Sequence, residues 1–110
     1  MSLSRAAPDD SFKDYILDQL SDLRGVTSRA MFGGYGLYQG EVFFGIIHKG
    51  RLYFKTDERT RPLYEKQGVK PFRPNAKQTL KSYYEVLVDI IEDSDQLTVW
   101  AERAVSHHNR

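Results

Sequence analysis

The apolar positions between residues 9 and 24 recur at the spacing of one face of an α-helix. Either Asp9 or Asp10 can accept hydrogen bonds from the first free amides of this helix, and Gly25 is a typical helix stop. The pattern therefore predicts a first helix over residues 9–24. Its apolar stripe consists of Phe12, Tyr15, Ile16, Leu20 and Leu23.

The next segment alternates apolar and small residues in the manner of β-strands, and two pairs of turn residues interrupt it. Gln39-Gly40 and Lys49-Gly50 each fit a two-residue hairpin turn, because glycine readily adopts a positive φ. The pattern predicts a three-stranded meander with strands at about 29–38, 41–48 and 51–56.

The second half of the chain predicts a helix, two strands and a last helix. Asp57 and Gly68 are suitable ends for the helix, and Asp93 with Gln96 resembles a capping pair before the last one. The predicted ranges are a helix at 57–67, a short edge strand at 71–73, a long strand at 79–87 and a helix at 94–107. The expected fold is a two-layer α+β domain whose antiparallel sheet has helices on one face, in the order α-β-β-β-α-(β)-β-α.

Two-residue turns at both predicted positions would sort the strand side chains onto two faces. We expect helices to cover the first face because it has almost no polar residue, and we place Gly34 opposite Gly45 in a hollow that admits a helix. This face holds Phe32, Gly34, Gly36, Phe43, Gly45, Ile47, Leu52 and Phe54. We interpret the glycines of this region as structural, namely Gly33, Gly34, Gly36 and Gly45.

These glycines do not form a phosphate-binding motif. The string GGYG lacks the Gly-Lys-Ser/Thr ending of a P-loop, and Gln39 stands where a G-x-G-x-x-G motif needs its third glycine. No nucleotide or other cofactor is expected here.

The second face has an apolar centre and a basic end, which is unusual for a sheet surface in water. It holds Met31, Gly33, Tyr35, Leu37, Val42, Phe44, Ile46, His48, Arg51, Tyr53 and Lys55. An exposed apolar patch usually marks a contact surface, so we predict a protein contact, most simply a homodimer. The alternative is that the loop 68–78 or the tail 106–110 covers this face. The candidate interaction surface is Tyr35, Leu37, Phe44, Ile46, Arg51, Tyr53 and Lys55.

Charge is unevenly distributed along a chain of 110 residues whose net charge is +1. Residues 48–81 carry a net +7, whereas residues 1–47 carry −2 and residues 82–110 carry −4. A basic segment can bind nucleic acid, and Tyr53 between Arg51 and Lys55 could stack a base beside phosphate-binding cations. The favoured interpretation is that the acidic ends fold beside the basic middle and balance it.

Composition excludes several classes of protein. A chain of this length is expected to form one domain, over 1–110 with a core at about 6–106. It has no cysteine and no apolar run of the roughly 18 residues that a membrane span needs, so we expect a cytoplasmic protein without disulfides. His48, His107 and His108 have no metal-ligand spacing, and no nucleophile with a neighbouring base is evident. We expect neither a metal site nor enzymatic activity.

Several longer strings point to one family. RAMFGGYGLY, VFFGII and GRLYFKTDERTR are followed by Tyr64, Gly68, Pro71-Phe72, YYEV and D-x-L-x-x-WAERA. Over about residues 6–106 the sequence resembles the TfoX (Sxy) N-terminal domain. The resemblance implies a two-layer fold similar to secretion chaperones. It also implies a role in regulating natural competence genes, since full-length TfoX proteins are regulators of these genes that work with the cyclic-AMP receptor protein. Full-length TfoX proteins also have a helical C-terminal domain without a counterpart here, so we expect a stand-alone domain.

Two function classes follow. The first is a non-enzymatic regulatory module that binds a protein partner, such as a transcription complex. The second is a direct nucleic-acid-binding domain that uses the basic segment 48–81. Affinity for DNA that falls steeply with salt would favour the second class.

Overall fold

The structure, a computed structural model, describes residues 9–31 and 33–106. Four helices and six strands form within these residues. In chain order they are α1 (Asp10–Gln19), β1 (Val26–Met31), β2 (Gly34–Gln39), β3 (Val42–His48), β4 (Arg51–Lys55), α2 (Arg61–Lys66), β5 (Pro71–Asn75), β6 (Gln78–Glu85), α3 (Val88–Ile91) and α4 (Ser94–Ser106).

All six strands belong to one antiparallel sheet in the order β1-β2-β3-β4-β6-β5. The predicted α+β class and its succession of elements are confirmed. The predicted strand 29–38 is subdivided, because Met31 pairs with Gly34 and the chain reverses between them. Gly33 has a φ of +80°, which suits a tight turn.

The two predicted hairpin turns have different outcomes. His48 pairs with Arg51, so Lys49-Gly50 forms the β3–β4 turn as predicted, and both residues have a positive φ, typical of a type I′ turn. In the β2–β3 hairpin Gln39 pairs with Val42, so the turn is shifted by one residue from the predicted pair. Its two residues are Gly40 and Glu41.

A β-bulge in β3 changes which side chains share a face. Leu37 pairs with Gly45 and Tyr38 pairs with Phe43, so Phe44 has no partner in β2. Phe44 packs in the core under the helices, whereas Phe43 packs in a second cluster on the other face. The predicted faces of Phe43 and Phe44 were therefore wrong, because the bulge interrupts the two-residue alternation.

The main core lies between the sheet and the helices. The buried sheet residues include Leu37, Ile47, Leu52 and Phe54, each with no exposed surface. They pack against the helix residues Ile16, Leu20, Leu97, Ala101, Ala104 and Val105. The prediction that helices cover Ile47, Leu52 and Phe54 is thus confirmed, while Phe32 lies outside the described residues.

The face without helices is partly covered by the β5–β6 hairpin. The ring of Phe72 on β5 lies 4.8 Å from the ring of Tyr53 and 5.2 Å from that of His48, measured between centroids. Two strands separate β5 from β3 in the sheet, so the contact between Phe72 and His48 requires the sheet to curl. Of the two alternative covers, the segment 68–78 contacts this face, while His107 and His108 of the tail lie outside the described residues.

The carboxylates that precede the first and last helices have different roles. Gln96 donates its backbone N–H and its side-chain amide to Asp93, at 3.2 and 3.1 Å, which confirms the predicted capping pair. These hydrogen bonds hold the pKa of Asp93 below its ordinary value. Asp9, in contrast, does not cap its own helix with its side chain. Its carboxylate accepts hydrogen bonds from Lys49 N at 2.9 Å and Gly50 N at 2.6 Å.

We expect Asp9→Ala to destabilise the protein by about 1–3 kcal/mol, because two backbone donors of the β3–β4 turn lose their acceptor. Asp9 is only 3% exposed, so water would replace the carboxylate poorly. Thermal unfolding should show a clearly lower midpoint. Asp14→Ala is the matched control, since Asp14 is exposed and bonds only its neighbour Lys13. Equal midpoints for the two variants would contradict the role given to Asp9.

Candidate interaction site

The structure does not assemble the predicted apolar surface. Leu37 and Phe44 are fully buried beneath the helices, so they face the opposite side from Ile46 and Tyr53. Ile46 has no exposed surface and Tyr53 is 9% exposed, because Phe72 and its neighbours pack over them. The prediction that these side chains form a single exposed patch was therefore wrong. The bulge in β3 puts Leu37 and Phe44 on the helix side, and the curl of the sheet brings Phe72 over Ile46 and Tyr53.

Tyr35 is half-buried at the edge of the helix-covered core. Its hydroxyl donates a hydrogen bond to the carboxylate of Asp10, which raises the pKa of the Tyr35 hydroxyl. This bond ties β2 to the first turn of α1. Tyr35 therefore helps to seat the helix on the sheet and is not part of a free apolar patch.

The basic members of the predicted surface reach the solvent. Arg51 Nη1 lies 2.8 Å from Glu85 Oε2, in an ion pair between β4 and β6. Lys55 Nζ lies 5.3 Å from the centroid of the Tyr83 ring. Tyr53, between them in sequence, is too enclosed for its ring to stack on a base. The predicted group of an exposed Tyr53 ring between Arg51 and Lys55 is therefore absent from the structure.

Three of the four predicted structural glycines lie where a Cβ would crowd neighbouring atoms, whereas Gly33 has open space beside it and a positive φ. A Cβ on Gly34 would overlap the carbonyl oxygen of Ile47, and a Cβ on Gly45 would lie 3.2 Å from Leu37 Cδ1. A Cβ on Gly36 would lie 2.8 Å from Met31 Cε. Gly45 pairs with Leu37 and Phe54, so the predicted pairing of Gly34 with Gly45 was wrong. Strand atoms, and not a helix, occupy most of the space beside these glycines.

A cleft of about 680 Å³ opens where β4 and β6 meet the segment that follows α2. Three cations face two carboxylates around it. Among the described residues, Lys70 and Asp89 form no ion pair, while Arg73 donates to the carbonyl oxygen of Ala76. The cleft can therefore accept polar groups of either charge. Its lining is Arg51, Tyr53, Gln67, Gly68, Val69, Lys70, Pro71, Arg73, Glu85, Leu87, Val88 and Asp89.

A smaller groove of about 210 Å³ lies next to this cleft, between α1, α3 and the start of β4. Its floor is mostly apolar and its rim has charged residues. The lining is Phe12, Tyr15, Gly50, Arg51, Leu52, Glu85, Val86, Val88, Ile91 and Glu92. The groove can accept one large apolar side chain.

The ion pair Arg51–Glu85 lines both depressions, as does Val88, so the two form one continuous surface. Tyr15, Leu87 and Val88 line it and remain 41%, 36% and 61% exposed. We refer to the five residues Tyr15, Arg51, Glu85, Leu87 and Val88 as the β4–β6 surface.

The sequence prediction missed most of this surface, since of its five residues only Arg51 was a candidate. Leu87 was assigned to a strand, yet Val86 points into the core and Leu87 points outward. Two consecutive apolar residues, Leu87 and Val88, after a buried position were the available signal. Within the described residues no cluster of three potential metal ligands occurs.

Comparison with known proteins identifies a family for this chain. The family model of the TfoX N-terminal domain matches residues 18–108 of the 110 residues. No curated protein matches the chain. None of the described helices is both long enough and apolar enough to span a bilayer.

Proposed function

Because the chain belongs to the TfoX N-terminal domain family, we propose that it is a non-enzymatic regulatory module that binds a protein partner in transcription. The observation that supports this function is the clustering of exposed apolar side chains. Five large apolar residues are exposed among those the structure describes, and three of them line the β4–β6 surface.

The backbone of Leu87 and Val88 is anchored to the core. Leu87 and Val88 precede Ile90 and Ile91 with one residue between the two pairs, and these isoleucines, each only 5% exposed, fix the short helix α3 in the core. The N–H groups of Ile90 and Ile91 both bond the carbonyl oxygen of Leu87. A partner would therefore meet Leu87 and Val88 on a backbone that is already ordered, which lowers the entropy cost of binding.

The two depressions suggest how a partner segment would lie. One apolar side chain would enter the groove between Phe12 and Ile91, and neighbouring polar groups would enter the cleft beside Lys70. Arg51 and Glu85 already neutralise each other at the centre, so a partner can cover them without an unpaired charge. Apolar anchors surrounded by polar contacts are the usual arrangement of a binding interface.

Val88→Asp tests this proposal with little risk to folding, because the side chain is largely exposed. Val99→Asp is the matched control, since Val99 is 44% exposed on α4 and lines neither depression. Quantitative affinity capture from the source cells should identify a protein that wild type and Val99→Asp retain and that Val88→Asp loses at least about tenfold. A partner retained equally by all three would place the interface elsewhere.

A homodimer is one form that this partner could take. Sedimentation equilibrium on wild type and Val88→Asp would identify it, since the dimer should dissociate in the variant alone. A dimer that is insensitive to Val88→Asp would count against the β4–β6 surface. Circular dichroism on all variants would confirm that they are folded.

A further inference from the structure

Five side chains from five strands form a row across the face that the helices leave free. Arg29 lies 4.5 Å from the Tyr38 ring centroid, and Tyr38 lies 5.1 Å from Phe43 in a stacked arrangement. The ring centroids of Phe43 and Tyr83 are 5.3 Å apart, and Lys55 Nζ lies 5.3 Å from the centroid of the Tyr83 ring. The row thus consists of three rings with one cation at each end.

Both end cations are available to a ligand. Arg29 is exposed and Lys55 is half-buried, and neither forms an ion pair with any residue that the structure describes. Contact with an aromatic ring orients each cation without neutralising its charge. Tyr38 and Phe43 are also partly exposed, so the parts of these rings that Arg29, Tyr83 and the rings themselves leave uncovered can be approached.

Charge is separated between the two layers of the fold. The six strands contain five Lys or Arg residues and a single acidic residue, Glu85, which Arg51 already engages. The four helices contain seven acidic and four basic residues. The sheet side is therefore complementary to a polyanion, and the helix side would repel one.

We propose that this open face binds single-stranded nucleic acid, with phosphates at Arg29 and Lys55 and bases against Tyr38 and Phe43. A single strand has unpaired bases whose flat faces can stack on aromatic rings or on a guanidinium. A duplex encloses its bases and would use only the cations. This site goes beyond the protein-binding function proposed above, because none of its five residues lines the β4–β6 surface.

The two kinds of contact have different signatures. For a single strand, the logarithm of the affinity falls linearly with the logarithm of the salt concentration. Each phosphate that a cation holds makes this slope steeper by about 0.7. Stacking on one ring is worth about 5- to 150-fold in affinity and has little salt dependence. Variants at the ends and in the middle of the row should therefore be distinguishable.

Fluorescence anisotropy with labelled oligo-dT and oligo-U of about twelve nucleotides would test the cations, between about 50 and 200 mM NaCl. Arg29→Gln and Lys55→Gln should each weaken binding and reduce the salt slope by about 0.7. Arg103→Gln is the matched control, since Arg103 lies 5.3 Å from the Trp100 ring on helix α4. It removes an arginine of the same kind from the opposite layer, and the slope should not change.

Tyr38→Leu and Tyr38→Phe would test stacking. The leucine variant should bind at least about fivefold more weakly with an unchanged salt slope, and the phenylalanine variant should bind as wild type does. Thermal unfolding of each variant would show that the loss is not a loss of fold. No measurable binding at about 50 mM salt, or equal effects of Arg29→Gln and Arg103→Gln, would overturn the proposal.

Two further results would also overturn it. A duplex bound as tightly as the single strand, with Tyr38→Leu indistinguishable from wild type, would mean that only charge is recognised. Displacement of the oligonucleotide by polyglutamate of equal charge and at equal concentration would also show that only charge is recognised.

Discussion

Gly34→Ala should destabilise the protein by more than about 3 kcal/mol, the upper range for inserting a methyl group into a filled site. The added Cβ would overlap the carbonyl oxygen of Ile47 and lie 3.0 Å from its carbonyl carbon. Both atoms belong to the backbone of β3, an interior strand that is hydrogen-bonded on both sides. The strand cannot retreat without breaking these bonds. For a domain of this size we expect a melting midpoint lower by at least about 12 °C.

Gly33→Ala is the control for Gly34→Ala. A Cβ at Gly33 would meet no atom within 4 Å, but the residue has a φ of +80°. Its cost should be that of a left-handed conformation alone, about 1–2 kcal/mol. Thermal and urea unfolding of both variants would measure the difference. Similar losses for the two would show that the close approach to Ile47 is not what requires glycine at position 34.

Phe44→Ala should lower the free energy of unfolding by about 3–5 kcal/mol, the usual range for removing a buried ring. Phe44 has no exposed surface, and its ring centroid lies 5.7 Å from that of Phe54 in the main core. Phe43→Ala should cost distinctly less, because the Phe43 ring is partly exposed on the other face. This order is the reverse of the one that simple alternation along β3 would predict.

Urea unfolding of Phe43→Ala and Phe44→Ala would measure this order directly. Phe54→Ala provides a reference, because Phe54 is fully buried and its predicted position was confirmed. Phe44→Ala should resemble the reference. A larger loss for Phe43→Ala than for Phe44→Ala would contradict the bulge, and with it the assignment of Phe44 to the helix-covered core.

Local patterns were sufficient to predict most elements of this fold. The stripe that includes Ile16 and Leu20 predicted α1, although the helix ends at Gln19 and not at residue 24. The β3–β4 turn was predicted because Lys49-Gly50 has the composition of a type I′ turn, and such a turn involves only four consecutive residues. Such signals depend on neighbours in sequence, and they are therefore visible without a structure.

The errors arose where distant residues decide the outcome. A glycine-rich string such as MFGGYG is compatible with a strand or with a reversal, and pairing of Met31 with Gly34 selects the reversal. Likewise, the sequence does not show that Phe44 is the extra residue of β3. That choice depends on Leu37 and Phe54, which fill the space beside Gly45 from the strands on either side.

The candidate sites were harder to predict than the fold. Burial of Tyr53 depends on Phe72, which follows it by about one sixth of the chain and reaches it only because the sheet curls. The row from Arg29 to Lys55 combines five strands, and no local string signals it. The segregation of charge was visible in the sequence, but its assignment to two layers required the topology.

The bulge in β3 also has a consequence for saturation mutagenesis of this chain. A regular strand gives a map in which tolerant and intolerant positions alternate with a period of two. Here Phe43 should tolerate substitution better, because it is partly exposed, whereas Phe44, Gly45, Ile46 and Ile47 should form an unbroken run of four intolerant positions, because all four are buried. A run that begins at the position of Phe44, and not at that of Phe43, in other members of the family would indicate that they share the bulge, without a structure of any of them.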